Sequence, residues 1–176
     1  MNIARLFALA LTALLLAAPV AAHEGHAGAR VTLLKLKPAL KALLPEGASL
    51  SKRKQRLDGE LVTYYLARDG KRGPVLAGAL VEQGKYRHGK IRVAVGLDAD
   101  RRLTGAALLM ANEKYVPDFR SSIGVGLLDD WRDRPLQALI QAADQAPEGP
   151  RRAVLQAMKR GAQKLDKLLE TAGGKR

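Results

Sequence analysis

Residues 90–115 read KIRVAVGLDADRRLTGAALLMANEKY. In the first half Ile91, Val93, Val95 and Leu97 alternate with Arg92, Ala94 and Gly96, the period-two pattern of a strand with one apolar face. The run RLTGAALLM, from Arg102 to Met110, alternates less cleanly. Its place directly after the Asp98–Arg102 turn favours an antiparallel hairpin over a helix. The hairpin closes on the polar Asn112-Glu113-Lys114 and Tyr115.

Strand signals continue upstream of it. Leu61 to Ala67, LVTYYLA, is rich in β-formers and stops at Asp69-Gly70. GPVLAGALV, from Gly73 to Val81, reads as the next strand, with GKYRHG, from Gly84 to Gly89, as its loop. The polar, basic SLSKRKQRLDGE fits either an edge strand or a loop. A meander of about four antiparallel strands follows, with one face in need of a cover.

Helical patterns flank this meander. LLKLKPALKALL, Leu33 to Leu44, has helical spacing around Pro38, a residue tolerated in a first turn. The stretch from Pro117 is only weakly helical because Gly124 and Gly126 interrupt it. PLQALIQAA, from Pro135, is a better helix. From Pro150 to Ala172 the residues Val154, Leu155, Met158, Leu165, Leu168 and Leu169 share a face, with Gly161 the one flaw. The expected fold class is α+β: a twisted antiparallel sheet with a short N-terminal helix and a long C-terminal helix.

The N-terminus has a separate meaning. MNIARLFALALTALLLAAPVAA carries one early charge at Arg5, an apolar run from Leu6 to Ala18 and small residues before His23. This is the pattern of a secretory signal peptide over residues 1–22. Its apolar run is shorter than the roughly 20 residues a spanning helix needs. The expected organisation is a His-containing tail over 23–32, a single domain over 33–172 and a frayed tail over 173–176. The expected location is the periplasm.

The whole chain has 30 Lys and Arg against 17 Asp and Glu and no cysteine. Thiol redox chemistry and cysteine-ligated clusters are thereby excluded, and stability has to come from packing and hydrogen bonds. After loss of Arg5 the net charge is about +12. Such a charge attracts phosphate-bearing cofactors, acidic proteins and anionic lipid. Export and a stock of only seven aromatic residues argue against nucleic acid.

The order of these parts resembles the FMN-binding domain of the peripheral subunits of the bacterial Rnf and Nqr electron-transport complexes. The matching pieces are ALKALLPEGASLSKR, VTYYLARDGK, GPVLAGALVEQG, IRVAVGLDADRRLTG, the carboxylate Glu113 and the closing RRAVLQAMKRGAQKLDKLL. The likeness runs from about Pro38 to Leu169, and it is the order of the pieces that carries it. It implies an electron-transfer protein working with a membrane or periplasmic redox partner. One departure is large. Covalently flavinylated members carry a Ser/Thr-Gly-Ala-Thr/Ser motif before the last helix, where this chain reads ADQAPEGPRRA, with no hydroxyl between Ser122 and Thr171. Any FMN is therefore expected to be held non-covalently, or the fold serves another purpose.

A flavin needs a slot for its ring and an anion site for its phosphate. Tyr115, Phe119 and Trp131 lie in one segment and are candidates to flank the ring, with core packing the competing reading. Arg151 and Arg152, at the start of the last helix, are the phosphate candidates. Glu113 is either the family-like carboxylate or a solvated capping residue. The alternative function is periplasmic metal handling: His23 and His26, at a new N-terminus, are candidate ligands for copper or a related ion. A peripheral contact with an anionic membrane surface is also compatible with the charge. Nothing resembles a hydrolytic triad or a catalytic carboxylate pair.

Overall fold

A computed structural model describes residues 29–173. The elements in chain order are β1 (Arg30–Thr32), α1 (Leu36–Leu43), β2 (Ser49–Leu57), β3 (Glu60–Arg68), β4 (Val75–Tyr86), β5 (Gly89–Asp98) and β6 (Leu103–Asn112). Then follow α2 (Val116–Ser122), β7 (Gly126–Leu127), α3 (Leu136–Gln145) and α4 (Pro150–Ala172). Short 3-10 turns lie at Glu113–Tyr115 and Asp129–Trp131.

The strands form one antiparallel sheet in the order β1-β6-β5-β4-β3-β2, with β7 also pairing β6. The five consecutive strands β2 to β6 are a meander, as short turns between successive runs dictate. The protein is α+β, with α2, α3 and the long α4 on one face of the sheet and α1 on the other.

The opening hairpin is β5 and β6, paired from Arg92↔Met110 to Leu97↔Leu103. Ile91, Val93, Val95 and Leu97 face α4 and are buried, as their alternation requires. The opposite face of β5 was expected to meet solvent, and here the structure differs. Ala94 is buried with Ala107 and Leu109 beneath Ala39 and Leu43 of α1. Small side chains on that face let a helix approach, so β5 is covered on both sides over its second half.

Three other expectations change. The stretch GKYRHG is not a loop: β4 continues to Tyr86, β5 begins at Gly89, and only Arg87 and His88 turn the chain. Arg30–Thr32, expected in the tail, pair with Thr32↔Met110 through Arg30↔Asn112 as β1. The stretch left open as edge strand or loop is β2, nine residues in unbroken register with β3. The expected signal segment, His23, His26 and the last three residues lie outside the described residues.

Helix α4 closes the core. Val154, Leu155, Met158, Leu165 and Leu168 are each at most 1 % exposed. Gly161 is the reason the helix lies so close to the sheet. A Cβ there would stand 3.0 Å from Val95 Cγ1 and 3.2 Å from Glu82 Cβ. The residue that weakens the helix pattern by about 1 kcal/mol is thus what permits the packing that stabilises it. No helix of the described residues is long and apolar enough to cross a membrane.

Candidate functional site

The β4–β5 hairpin passes beneath the first turns of α4, and between them lies a groove of about 880 Å³. Two glycines shape it. At Gly84 a Cβ would stand 3.0 Å from Ile91 and 3.1 Å from the Ala157 Cβ, so glycine lets α4 cross close over β4 here. Gly149 turns the chain into α4 with φ +150, a conformation L side chains rarely adopt. Pro150 then takes the first helical position, where a missing N–H costs nothing. Helical geometry leaves the amides of Arg151 and Arg152 without intrahelical acceptors, and this end of the helix favours anions.

The groove walls are basic. Lys85, Arg87, Lys90, Arg152 and Arg160 line it, against the single carboxylate Glu148. Arg160 is partly engaged, donating to the Gln83 carbonyl at 3.1 Å and standing 3.7 Å from Glu82. Arg87 stands 3.9 Å from Asp118 and lies over the rings of Tyr86 and Tyr115 at 5.2 and 5.6 Å. Lys85, Lys90 and Arg152 form no ion pair among the described residues.

Tyr86 anchors the hairpin end of the groove. Its ring meets Tyr115 edge-on at 5.3 Å and Phe119 at 5.1 Å, and its hydroxyl donates to Asp118 Oδ2 at 3.1 Å. Burial first, then the hydrogen bond to the Asp118 carboxylate, holds that hydroxyl above the ordinary phenol range, although Arg87 pulls the other way. It remains a proton donor at neutral pH.

The residues expected at a flavin site are therefore dispersed. Tyr115 and Phe119 do come together, around Tyr86, but they are 7 % and 0 % exposed and serve as core. Trp131 is buried on its own turn, with the Arg134 guanidinium 5.3 Å from its ring, and is not part of the groove. Glu113 is exposed on the turn after β6, outside the groove, with its amide donating to the Ala29 carbonyl. The arginine pair splits: Arg152 faces the groove, while Arg151 reaches the Ser122 carbonyl at 3.5 Å.

Lys85, Tyr86, Arg87, Lys90 and Arg160 escaped the sequence reading. Tyr86 and Arg87 were hidden in an apparent loop; had β4 been extended past Val81, parity with Leu80 and Glu82 would have put Gly84 and Tyr86 on the α4 face. The described residues contain no group of three or more His, Cys, Asp or Glu side chains able to hold a metal ion. Compared with known proteins, the chain matches no family model, no curated protein and no solved structure.

Proposed function

We propose that this is an exported electron-transfer protein that holds FMN without a covalent link, with the flavin phosphate in the groove at the start of α4. What carries this reading is the convergence of five cations on a groove of about 880 Å³, within the size range of small-ligand sites. It lies where the chain resembling the FMN-binding domain meets its last helix, and there the attachment motif is replaced by Glu148-Gly149-Pro150-Arg151-Arg152. The donor set suits a phosphate: Arg152 and Arg160 offer forked guanidinium donors, and Lys85 and Lys90 add point charges. For the ring the fit is narrower, resting on Gly84, Ala153 and the edge of Tyr86, with the Arg87 guanidinium beside it.

Bound FMN would supply one- and two-electron transfer. The chain's own residues would fix the phosphate and hold positive charge near the ligand, which favours its reduced, anionic form. The redox partner would be a membrane or periplasmic protein.

The test is a visible spectrum of the protein recovered from the exported fraction of a flavin-replete host, then acid precipitation. Yellow colour released into the supernatant is the expected result. A colourless protein that also fails to take up added FMN ends the proposal. If FMN binds, riboflavin, which lacks the phosphate, should bind about tenfold or more weakly, and Arg152→Ala should erase most of that difference.

A further inference from the structure

Opposite the groove, the sheet ends in the free edge β2, and the α1 side of that edge has a chemistry of its own. In the register Leu50↔Ala67, Lys52↔Tyr65, Lys54↔Thr63 and Arg56↔Leu61, directly opposed residues share a face. Ala67 and Tyr65 pack with Leu40 and Leu44 of α1, so this is the α1 face. Lys52, Lys54 and Arg56 thus project in a row on the same side as Leu50 and Leu61, which are 54 % and 59 % exposed. None of these three cations has an acidic partner among the described residues.

Beside the row lies an apolar cleft of about 740 Å³ between α1 and β2, bounded by Leu40, Leu44, Pro45 and Leu50 and rimmed by Lys37 and Lys41. Its one acid is Glu46. Charge and apolar surface therefore lie side by side along a strip of nine strand residues, about 30 Å long. Lysines on a strand edge oppose addition of another strand. Long, flexible ammonium groups beside exposed leucines instead suit a surface that offers anionic heads over an apolar interior.

We propose that the α1 side of the β2 edge is the surface by which this protein lies on an anionic membrane. Cations Lys37, Lys41, Lys52, Lys54 and Arg56 meet the lipid phosphates, and Leu50 and Leu61 enter the headgroup layer. The proposal does not depend on whether the groove holds a ligand, since none of these residues lines the groove.

The test is vesicle flotation with the protein recovered from the exported fraction, its N-terminus fixed by mass spectrometry so that every variant carries the same one. Binding is expected to vesicles of phosphatidylglycerol and phosphatidylethanolamine, to be absent with phosphatidylcholine, and to fall in 0.5 M salt. Lys52→Glu with Lys54→Glu should lower the partition coefficient roughly thirtyfold or more, at about fivefold for each cation lost. Lys114→Glu with Arg120→Glu makes the same charge change away from β2 and should cost less than threefold. If the β2 variant does not fold, Lys37→Glu with Lys41→Glu decides the same question. The proposal is overturned by failure to bind anionic vesicles, by equal losses in the test and control variants, or by retention on immobilised polyglutamate without vesicle binding, which would mark an acidic protein as the partner.

Discussion

The cations of α4 and those of β2 are similar in kind and opposite in circumstance. On α4, Lys159 bonds Asp144 at 2.6 Å, Lys164 bonds Glu60 and Glu82 at 2.9 and 3.1 Å, and Lys167 bonds Asp58 at 2.9 Å. Arg101, from the β5–β6 turn, reaches Asp166 and Glu170 of the same helix. On β2, Lys52, Arg53 and Lys54 have no such partner among the described residues. The 17 acids of the chain do not dilute its 30 Lys and Arg evenly. Six of them tie α4 to α3, the sheet and its turns, and cations without such pairs are left on the groove and on the α1 face. A net charge describes a sum; the pairing determines which surface attracts a partner.

The sharpest way to break this comparison is to perturb the packing that both faces depend on. Leu165→Ala, at a fully buried α4 position, should lower stability by about 3 kcal/mol in urea unfolding, while Leu50→Ala on the exposed edge should stay within about 0.5 kcal/mol. Equal effects would mean that α4 does not close the core. Gly161→Val forces two methyl groups toward Val95 and Glu82 and should cost about 2 kcal/mol by the same measurement. A neutral result would show that the helix can lift without penalty.

Charge neutralisation sharpens the contrast itself. Lys164→Met should cost about 1 kcal/mol at pH 7, the scale of a partly screened pair, and Lys54→Met should cost nothing measurable. The pH dependence fixes the cause. Burial alone would push the Lys164 ammonium down, but its hydrogen bonds to Glu60 and Glu82 and their charges more than offset this, so its pKa is raised. A raised folded pKa stabilises below the unfolded value, about 10.4, and that stability is lost as pH climbs through the folded value. The cost of Lys164→Met should hold to pH 9 and shrink above about pH 10.4. Asp144 behaves in the opposite sense: the Lys159 hydrogen bond is the main cause of its lowered pKa. The penalty of Asp144→Asn should be present at pH 7 and fade as pH falls below about 3.9. The smallest effect is expected on β2, where Lys52→Gln with Lys54→Gln should relieve repulsion and stabilise by about 0.3 kcal/mol at low salt, and by nothing at 0.5 M. A loss of stability there would reveal an unseen acidic neighbour.

Where one element recorded its whole environment in its own periodicity, the sequence was legible. The apolar face of α4 and the Ile91-Val93-Val95-Leu97 face of β5 needed no knowledge of their neighbours. Gly84 was misread because a glycine that admits a crossing helix has the same letter as one that makes a turn. Ala94 and Gly96 looked like a solvent face because small residues are ambiguous until a covering helix is placed on them. β1 is three residues long, too short for any period to appear. The groove was illegible for a further reason: its walls come from residues 83–90 and 148–160, and only the packing of α4 over the hairpin brings them together. Of the expected site residues Arg152 lines it, whereas the expected aromatics are buried in the core and none of them lines it.

That α4 follows the meander in the chain orders events in time as well as in space. The meander from β2 to β6 is joined by tight turns and can pair as soon as it emerges, because its contacts are local. Its face carrying Val93, Val95 and Leu97 lacks its longest cover until residues beyond Pro150 arrive. A chain delivered N-terminus first therefore passes through a stage in which a well-paired sheet shows an apolar side not yet covered by α4, the condition that invites aggregation. Helix α4, which follows the sheet in the chain, is what closes that side.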